Sequence, residues 1–405
     1  VLTEQDINDL VAFLKTLAGL EEEEPGQVID FGAQVPISPE SIETGRKLFH
    51  QDDRCSECHG QAGKGDAVKK LKDDSGYRTW PRNLTKPWTF RGSNDPRDIF
   101  TRITTGIAGT QMPSFDDPAS DGRLSIEQRW NIANYVNSLA KIDKIVRPEN
   151  TVIRATRVAG PVPVAPDDPQ WQEAPSSTFL LVPQLIAAER FFTPSNDTIT
   201  VRALYNQDEI GFHVEWDDRT QSIPGDRTAK KVSEPGLGED AVAIQLPVKI
   251  PTGPEKPYFL HGDSRHPVNL WSWRSGSTTE DPSVALVTAR GIADKIVRDA
   301  STVGLQGRGS YDEGTWQVVL RRPLTTAGSA EDLQFVEGVF IPVAFSAWDG
   351  SNGERGSAHT LTTWYWLLLK PEPGNKPWLF AGFAFVLILL LEIWWARTAV
   401  RRVRS

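Results

Sequence analysis

The stretch C-S-E-C-H at residues 55–59 contains both cysteines of this 405-residue chain. Two thiols separated by two residues can each add to a haem vinyl group, and the histidine after the second thiol then ligates the iron. Cys55 and Cys58 are therefore the predicted attachment points of a covalent haem c, and His59 is its predicted proximal ligand. A zinc site would need four ligands, and the chain has no second cysteine pair to supply them.

A haem iron that transfers electrons usually has a sixth ligand, and the chain contains a single methionine, Met112. This residue follows a glycine-containing loop at residues 104–109 and precedes Pro113, an arrangement that favours a rigid turn. We predict that His59 and Met112 are the axial pair of haem c, with the thioether raising its reduction potential. His50, on the segment that leads into Cys55, is the competing donor.

Two predicted helices flank the haem motif. One begins at Ser38, because serine is a good capping residue and Pro39 suits a first turn. The other begins near Ser125 and carries apolar residues at helical spacing. Residues 37–147 thus resemble a class I cytochrome c. The resemblance implies an all-α domain in which these two helices cross and close the haem pocket.

The first twenty residues repeat the pattern of the second helix. A shift of 122 positions places Leu2 on Leu124 and Phe13 on Tyr135. We expect residues 1–20 to be the closing helix of another cytochrome c domain that precedes Val1 and carries a second haem c. An ordinary amphipathic helix is the alternative. Residues 21–36, which begin with four glutamates, are a predicted linker.

The C-terminal segment is strongly apolar. The run from Trp378 to Ala396 would be about 28 Å long as a helix, close to the hydrocarbon thickness of a bilayer. We expect one transmembrane helix at residues 376–396, with Glu392 tolerated by snorkelling or by pairing with Arg397. The positive-inside rule then makes residues 397–405 a cytoplasmic basic tail. This predicts a single-pass inner-membrane protein whose bulk is periplasmic, where haem c is attached.

The region at residues 148–370 shows the alternation of β-strands rather than helices, with proline and glycine turns between strands. An antiparallel β-sandwich is the predicted fold. The predicted strands are residues 198–205, 210–216, 241–246, 268–273, 316–320, 339–345 and 363–369.

Several segments of this region resemble the haem-binding γ subunit of the ethylbenzene dehydrogenase type, whose relatives serve dimethylsulfide dehydrogenase, chlorate and selenate reductases and nitrite oxidoreductases. They are residues 215–218, 240–244, 259–263, 268–273, 314–316, 322–324, 348–350 and 363–365. That family holds a non-covalent haem b between a methionine and a lysine. The methionine position here carries His261, and His359 lies where the lysine would be, so the resemblance implies a bis-histidine haem b. His266 is the second choice for His261, and His213 is expected to be exposed or simply hydrogen bonded.

The predicted function is a membrane-anchored, multihaem cytochrome subunit that relays electrons between haem b and haem c for a respiratory or photosynthetic redox complex. Its expected partners are a molybdoenzyme αβ pair or a cytochrome b complex, a soluble electron carrier and the membrane. The net charge of -9 argues against nucleic acid. No catalytic triad or phosphate-loop signature indicates an enzyme. The alternative is a single haem c carrier whose β-sandwich is a haem-free docking module.

Overall fold

The computed structural model describes residues 3–20, 28–66, 69, 71–120, 122–140, 149–223, 238–253, 255–276, 283–312, 314–327, 330–371 and 376–403. The chain divides into two compact units. We call residues 1–55 with 90–140 the helical unit, and residues 56–89 with 141–405 the β-unit. Part of the predicted linker, residues 21–27, and the predicted domain boundary at 147 and 148 lie outside the described residues.

The α-helices of the described part are α1 (Glu4–Ala18), α2 (Pro39–His50), α3 (Ser56–His59), α4 (Pro96–Thr105), α5 (Ile126–Ser138) and α6 (Lys376–Val403). The two helices predicted around the haem motif are confirmed, with their caps. Ser38 accepts a hydrogen bond from the Ser41 backbone at the start of α2. Ser125 and Gln128 form a reciprocal capping box at the start of α5.

The core of the helical unit lies where α2 and α4 each pack against α5. A Cβ at Gly45 would lie 2.0 Å from the Asn131 carbonyl oxygen, so only glycine lets α2 approach α5 this closely. Phe100 of α4 stacks on Trp130 of α5 with ring centroids 4.4 Å apart. This pattern agrees with the helix crossing that the sequence predicts.

Helix α1 confirms a helix within residues 1–20, and none of its side chains is buried. Its apolar stripe is exposed, including Phe13 and Leu14. Its origin in a preceding cytochrome c domain stays a prediction.

The strands are β1 (Leu71–Lys72), β2 (Arg78–Thr79), β3 (Val152–Arg157), β4 (Ser177–Leu180), β5 (Val182–Pro183), β6 (Thr198–Tyr205), β7 (Glu209–Asp217), β8 (Ala241–Pro247), β9 (Val268–Arg274), β10 (Val284–Ala289), β11 (Lys295–Arg298), β12 (Gln306–Asp312), β13 (Thr315–Pro323), β14 (Phe340–Trp348), β15 (Thr360–Leu361) and β16 (Tyr365–Leu369). Strands β1 and β2 form a separate ladder. The main sheet runs in the order β11-β10-β9-β8-β14-β16-β3-β6-β7-β13-β12. Each predicted strand of residues 198–369 overlaps an observed one.

The main sheet folds into two facing layers. Strands β7 and β9 are separated in the hydrogen-bonding order by β8, β14, β16, β3 and β6. Nevertheless Phe212 of β7 meets Trp271 of β9 edge to face, with centroids 5.8 Å apart. One apolar core therefore lies between the layers, as a sandwich requires. The sheet is mixed rather than purely antiparallel, because β3 pairs in parallel with both β16 and β6.

The prediction of a C-terminal transmembrane helix at residues 376–396 is wrong. The segment is helical as α6, but no helix in the described part of the chain is both long and apolar enough to cross a membrane. The fold class is thus a helical unit and a β-rich unit. The side chains of the predicted basic tail, residues 397–405, lie outside the described set.

Candidate functional site: two histidine-centred sites

The haem motif lies at the short helix α3, which begins directly after Cys55. The Cys55 backbone N–H donates to the Phe49 carbonyl at 3.2 Å within the helical unit, which ties the motif to the end of α2. Cys55 and Cys58 do not form a disulfide, so both sulfurs are available for thioether bonds to a haem.

His59 is held in a defined orientation within the β-unit. Its Nδ1 lies 3.2 Å from the carbonyl oxygen of Arg82, and burial lowers the pKa of its ring. Nδ1 carries the hydrogen, because a carbonyl oxygen only accepts, and the lowered pKa favours the neutral ring, whose Nε2 is then available to a metal. The geometry fits a proximal haem ligand.

The segment that supplies the Arg82 carbonyl is anchored to the sheet. Lys86, nearly buried, places its Nζ 2.7 Å from Asp217 Oδ2 and 2.7 Å from Thr198 Oγ1. Asn83 also donates to Asp217, at the end of β7. The position of the His59 partner thus depends on contacts with β6 and β7.

Met112 is held on a tight turn of the helical unit and is half-buried. The Ile107 N–H donates to the Met112 carbonyl at 3.1 Å, and the Met112 N–H donates to Thr110 Oγ1 at 3.2 Å. Gly106 has φ +65°, and a Cβ there would lie 2.6 Å from the Met112 carbonyl oxygen. The glycine loop predicted from sequence therefore does fix the methionine backbone. His50, the competing donor, packs its ring against Phe49 instead.

His261 lies in a strained turn of the β-unit. It has φ +63°, which is uncommon for a residue with a Cβ, and Gly262 follows at φ +73°. Its N–H donates to the Gln245 side-chain oxygen at 3.1 Å. Strain of this kind persists where surrounding contacts enforce it, and it concentrates at functional sites.

His359 follows a tight loop in which Arg355 and Ala358 exchange backbone hydrogen bonds of 3.1 and 3.0 Å. The Gln184 N–H donates to the His359 carbonyl at 3.0 Å. Trp348, at the end of β14, stacks on the His359 ring with centroids 4.7 Å apart. The imidazole is thus fixed by the backbone on one side and an indole on the other.

The two histidines predicted as a pair come together. Their rings are parallel within 4°, with centroids 5.6 Å apart, and the residues are 1% and 0% exposed. None of the four buried ring nitrogens has a hydrogen-bond partner of good geometry in the described part of the chain, although the backbone of Gly356 and Ser357 is near enough to the His359 ring to act on its pKa. Buried nitrogens are rarely left unpaired, so this arrangement fits imidazoles that ligate a metal.

Burial keeps both imidazoles neutral. It lowers the pKa of His261 to about 3 and that of His359 to about 4, with the positive charge of Lys295 acting in the same direction. A neutral imidazole has the lone pair that an iron requires. The residues present therefore fit a haem held by two histidines.

The other histidines occupy different settings. His266, the alternative to His261, lies near the surface with Nδ1 3.3 Å from Asp263 Oδ1. His213 is hydrogen bonded, as one alternative predicted, with Nε2 3.1 Å from the Pro166 carbonyl. It is buried rather than exposed, because Trp171 covers this face of β7.

Gln245 and Trp348 were not predicted from the sequence. Gln245 lies on β8 and accepts the hydrogen bond from the His261 N–H, and Trp348 lies at the end of β14 and stacks on His359. The one sequence signal was the resemblance of residues 348–350 to the family pattern. A buried glutamine in an apolar strand gives no such signal.

Comparison with known proteins identifies two domains along the chain. A cytochrome c family profile matches residues 42–140. The profile described as ethylbenzene dehydrogenase matches residues 168–288 and 284–360, and so includes both histidines. This chain joins a cytochrome c domain to an ethylbenzene dehydrogenase domain. The first kind of domain carries covalent haem c, and the second kind, as a γ-subunit domain, binds haem b.

Three curated relatives are haem or γ subunits by name. The heme subunit of a respiratory nitrate reductase from Haloferax mediterranei is 26% identical over 253 residues, 61% of this chain and 85% of the relative. The chlorate reductase subunit gamma of Ideonella dechloratans is 28% identical over 222 residues, 54% of this chain and 84% of the relative. The dimethylsulfide dehydrogenase subunit gamma of Rhodovulum sulfidophilum is 28% identical over 123 residues, 30% of this chain and 44% of the relative.

These relatives and the two domains make this chain an electron-transfer cytochrome subunit of an oxidoreductase complex, rather than a catalytic subunit. The alternative of a haem-free docking module for this region is not favoured, because γ subunits with an ethylbenzene dehydrogenase domain bind haem b.

Proposed function

We propose that this chain relays electrons between a haem b ligated by His261 and His359 and a haem c attached to Cys55 and Cys58. His59 and Met112 are the axial ligands of haem c in this proposal. The observation that carries it is the parallel, buried histidine pair, whose four ring nitrogens lack a hydrogen-bond partner of good geometry among the described residues.

Each haem, when bound, supplies a one-electron iron couple. Neighbouring residues of the chain hold the axial ligands of each haem in place. Gln245 holds the strained backbone of His261, and Trp348 restricts rotation of the His359 ring. The Arg82 carbonyl fixes the His59 tautomer. Fixed ligands reduce the rearrangement that accompanies a change of iron charge.

The two ligand sets favour one direction of flow. Imidazole pairs give a lower potential than a histidine and methionine pair, so transfer from haem b to haem c is downhill. The Met112 thioether adds to this difference by raising the potential of haem c. Electrons therefore enter at haem b and leave at haem c.

The donor in this proposal is the αβ pair of a respiratory molybdoenzyme, by analogy with the chlorate reductase and dimethylsulfide dehydrogenase γ subunits. The acceptor is a soluble electron carrier. Because haem c is attached outside the cytoplasm, we place both units on the extracytoplasmic side.

A redox titration of the purified chain, followed separately at the b and c absorption bands, tests the relay. We expect two one-electron steps, with haem b at the lower potential. His359→Ala should abolish the lower step and leave the upper one. A haem b potential above that of haem c would contradict the proposed direction.

A further inference from the structure

A group of three buried aspartates lies at the ends of three strands of the β-unit. Asp218 follows β7, Asp240 precedes β8 and Asp349 follows β14. They are 2%, 0% and 0% exposed. One carboxylate oxygen from each lies within 4.8 Å of those of the other two. Three acids this close repel one another when ionised, unless a cation lies among them.

No cationic side chain of the described residues forms an ion pair with these aspartates. The positive charge of Arg219 interacts electrostatically with Asp218 and Asp349. Its guanidinium nevertheless donates hydrogen bonds to the carbonyls of Gly65, Ser195 and Pro81. Its charge therefore reduces the repulsion without contacting the carboxylates.

An unpartnered oxygen gives independent support for a ligand. Asp218 Oδ1 accepts a hydrogen bond from the Thr220 backbone at 3.2 Å, whereas its Oδ2 is buried with no hydrogen-bond partner. Buried carboxylate oxygens are normally satisfied by a donor or a metal. Burial also raises the pKa of Asp218 and raises that of Asp240 to about 8, as expected for acids that lack a counter-charge.

We propose that Asp218, Asp240 and Asp349 bind one Ca²⁺ ion. Calcium takes oxygen ligands at about 2.3–2.6 Å, so two oxygens of one coordination shell are at most about 5 Å apart. The donors are all carboxylate oxygens, with no nitrogen or sulfur to favour a transition metal. Water completes the shell, and the flexible coordination of calcium suits three donors from separate loops better than the strict octahedron of Mg²⁺.

The ion has a structural role in this proposal. Asp349 also caps the turn Gly350–Asn352, and the Gly350 N–H donates to Asp240 Oδ1 at 2.9 Å. The chain continues from this turn to His359. A cation shared by the three aspartates therefore ties β7 to β8 and β14, and it fixes the start of the loop that carries His359.

The test uses the full chain after treatment with EGTA and removal of the chelator. CaCl₂ and MgCl₂ are added separately while the midpoint of thermal unfolding is followed, and calcium per chain is measured by elemental analysis. We expect one tightly held calcium per chain. At a hundredfold excess over Kd, calcium should raise the midpoint by about 5–10 °C.

Asp218→Asn removes one ligand charge with little change of shape, and should abolish both the bound calcium and the calcium-dependent shift. Asp312→Asn, at an exposed acid that ends β12, is the matched control and should keep both. The wild-type measurements decide the matter even if Asp218→Asn fails to fold. A wild-type chain with no bound calcium and no calcium-dependent shift overturns the proposal, and an equal shift with Mg²⁺ at the same concentration overturns the choice of calcium.

Discussion

Replacing Lys86 by methionine should destabilise the β-unit by about 3 kcal/mol. The side chain of Lys86 is 9% exposed, and its ammonium lies 2.7 Å from both Asp217 Oδ2 and Thr198 Oγ1. Removal of one partner of a buried ion pair costs about 3–5 kcal/mol. The lower end applies, because the Asp217 side chain is 29% exposed and retains the hydrogen bond from Asn83. The midpoint of thermal unfolding should fall by about 6–12 °C.

Guanidinium unfolding followed by tryptophan fluorescence measures this loss. Lys69→Met is the matched control from the same segment, because its pair with Glu57 is exposed and worth at most about 1 kcal/mol. Lys86→Met should also change the haem c potential, since this segment holds the Arg82 carbonyl against His59. Equal losses from the two lysine variants would refute the reasoning.

Three further outcomes follow from the same structure. Gln245→Leu leaves the His261 N–H and the Phe259 carbonyl without their partner, so we expect a loss of about 2–6 kcal/mol and weaker haem b retention, measured by unfolding and by haem content. In the haem-free chain, the pKa values of His261 and His359 are lowered, so the unfolded state binds more protons than the folded state below about pH 6.5. Urea unfolding should therefore show that the free energy of unfolding falls as the pH is lowered from about 6.5 to about 4, by about 1.4 kcal/mol per pH unit for each histidine. Met112→Leu should keep haem c attached but lower its potential, as read by redox titration; an unchanged potential would remove Met112 as a ligand.

Short sequence patterns predicted those parts of the fold that depend on contacts between residues close together in the sequence. The C-S-E-C-H motif and the caps at Ser38 and Ser125 are of this kind, as is the glycine loop before Met112. The alternating strand Thr198–Tyr205 was predicted to the residue.

Strand β12 was missed because it contains Gly307 and Gly309, and glycine is depleted in strands. The structure supplies the reason for one of them. A Cβ at Gly309 would lie 2.2 Å from the Trp273 ring, so the glycine makes room for an indole from the facing layer. That requirement arises between distant segments and leaves no local pattern.

The candidate sites likewise divide into residues that a sequence pattern predicts and residues that only contacts between distant segments bring together. His261 and His359 were found through a family resemblance, and the buried state of His213 was missed because the covering Trp171 comes from another segment. The three aspartates are up to 131 residues apart, Asp218 to Asp349, and only the ends of three strands bring them together. The transmembrane prediction followed from the apolar run and its aromatic and basic flanks, and no helix in the described part of the chain is long and apolar enough to bear it out.

The most direct test of the central claim is a haem inventory. Acid acetone removes haem b and leaves covalent haem c, and pyridine haemochrome spectra then count each per chain. We predict one extractable haem b in the wild type, its loss in both His261→Ala and His359→Ala, and its retention in the control His266→Ala. Extractable haem b that survives both substitutions would contradict the assignment of this histidine pair.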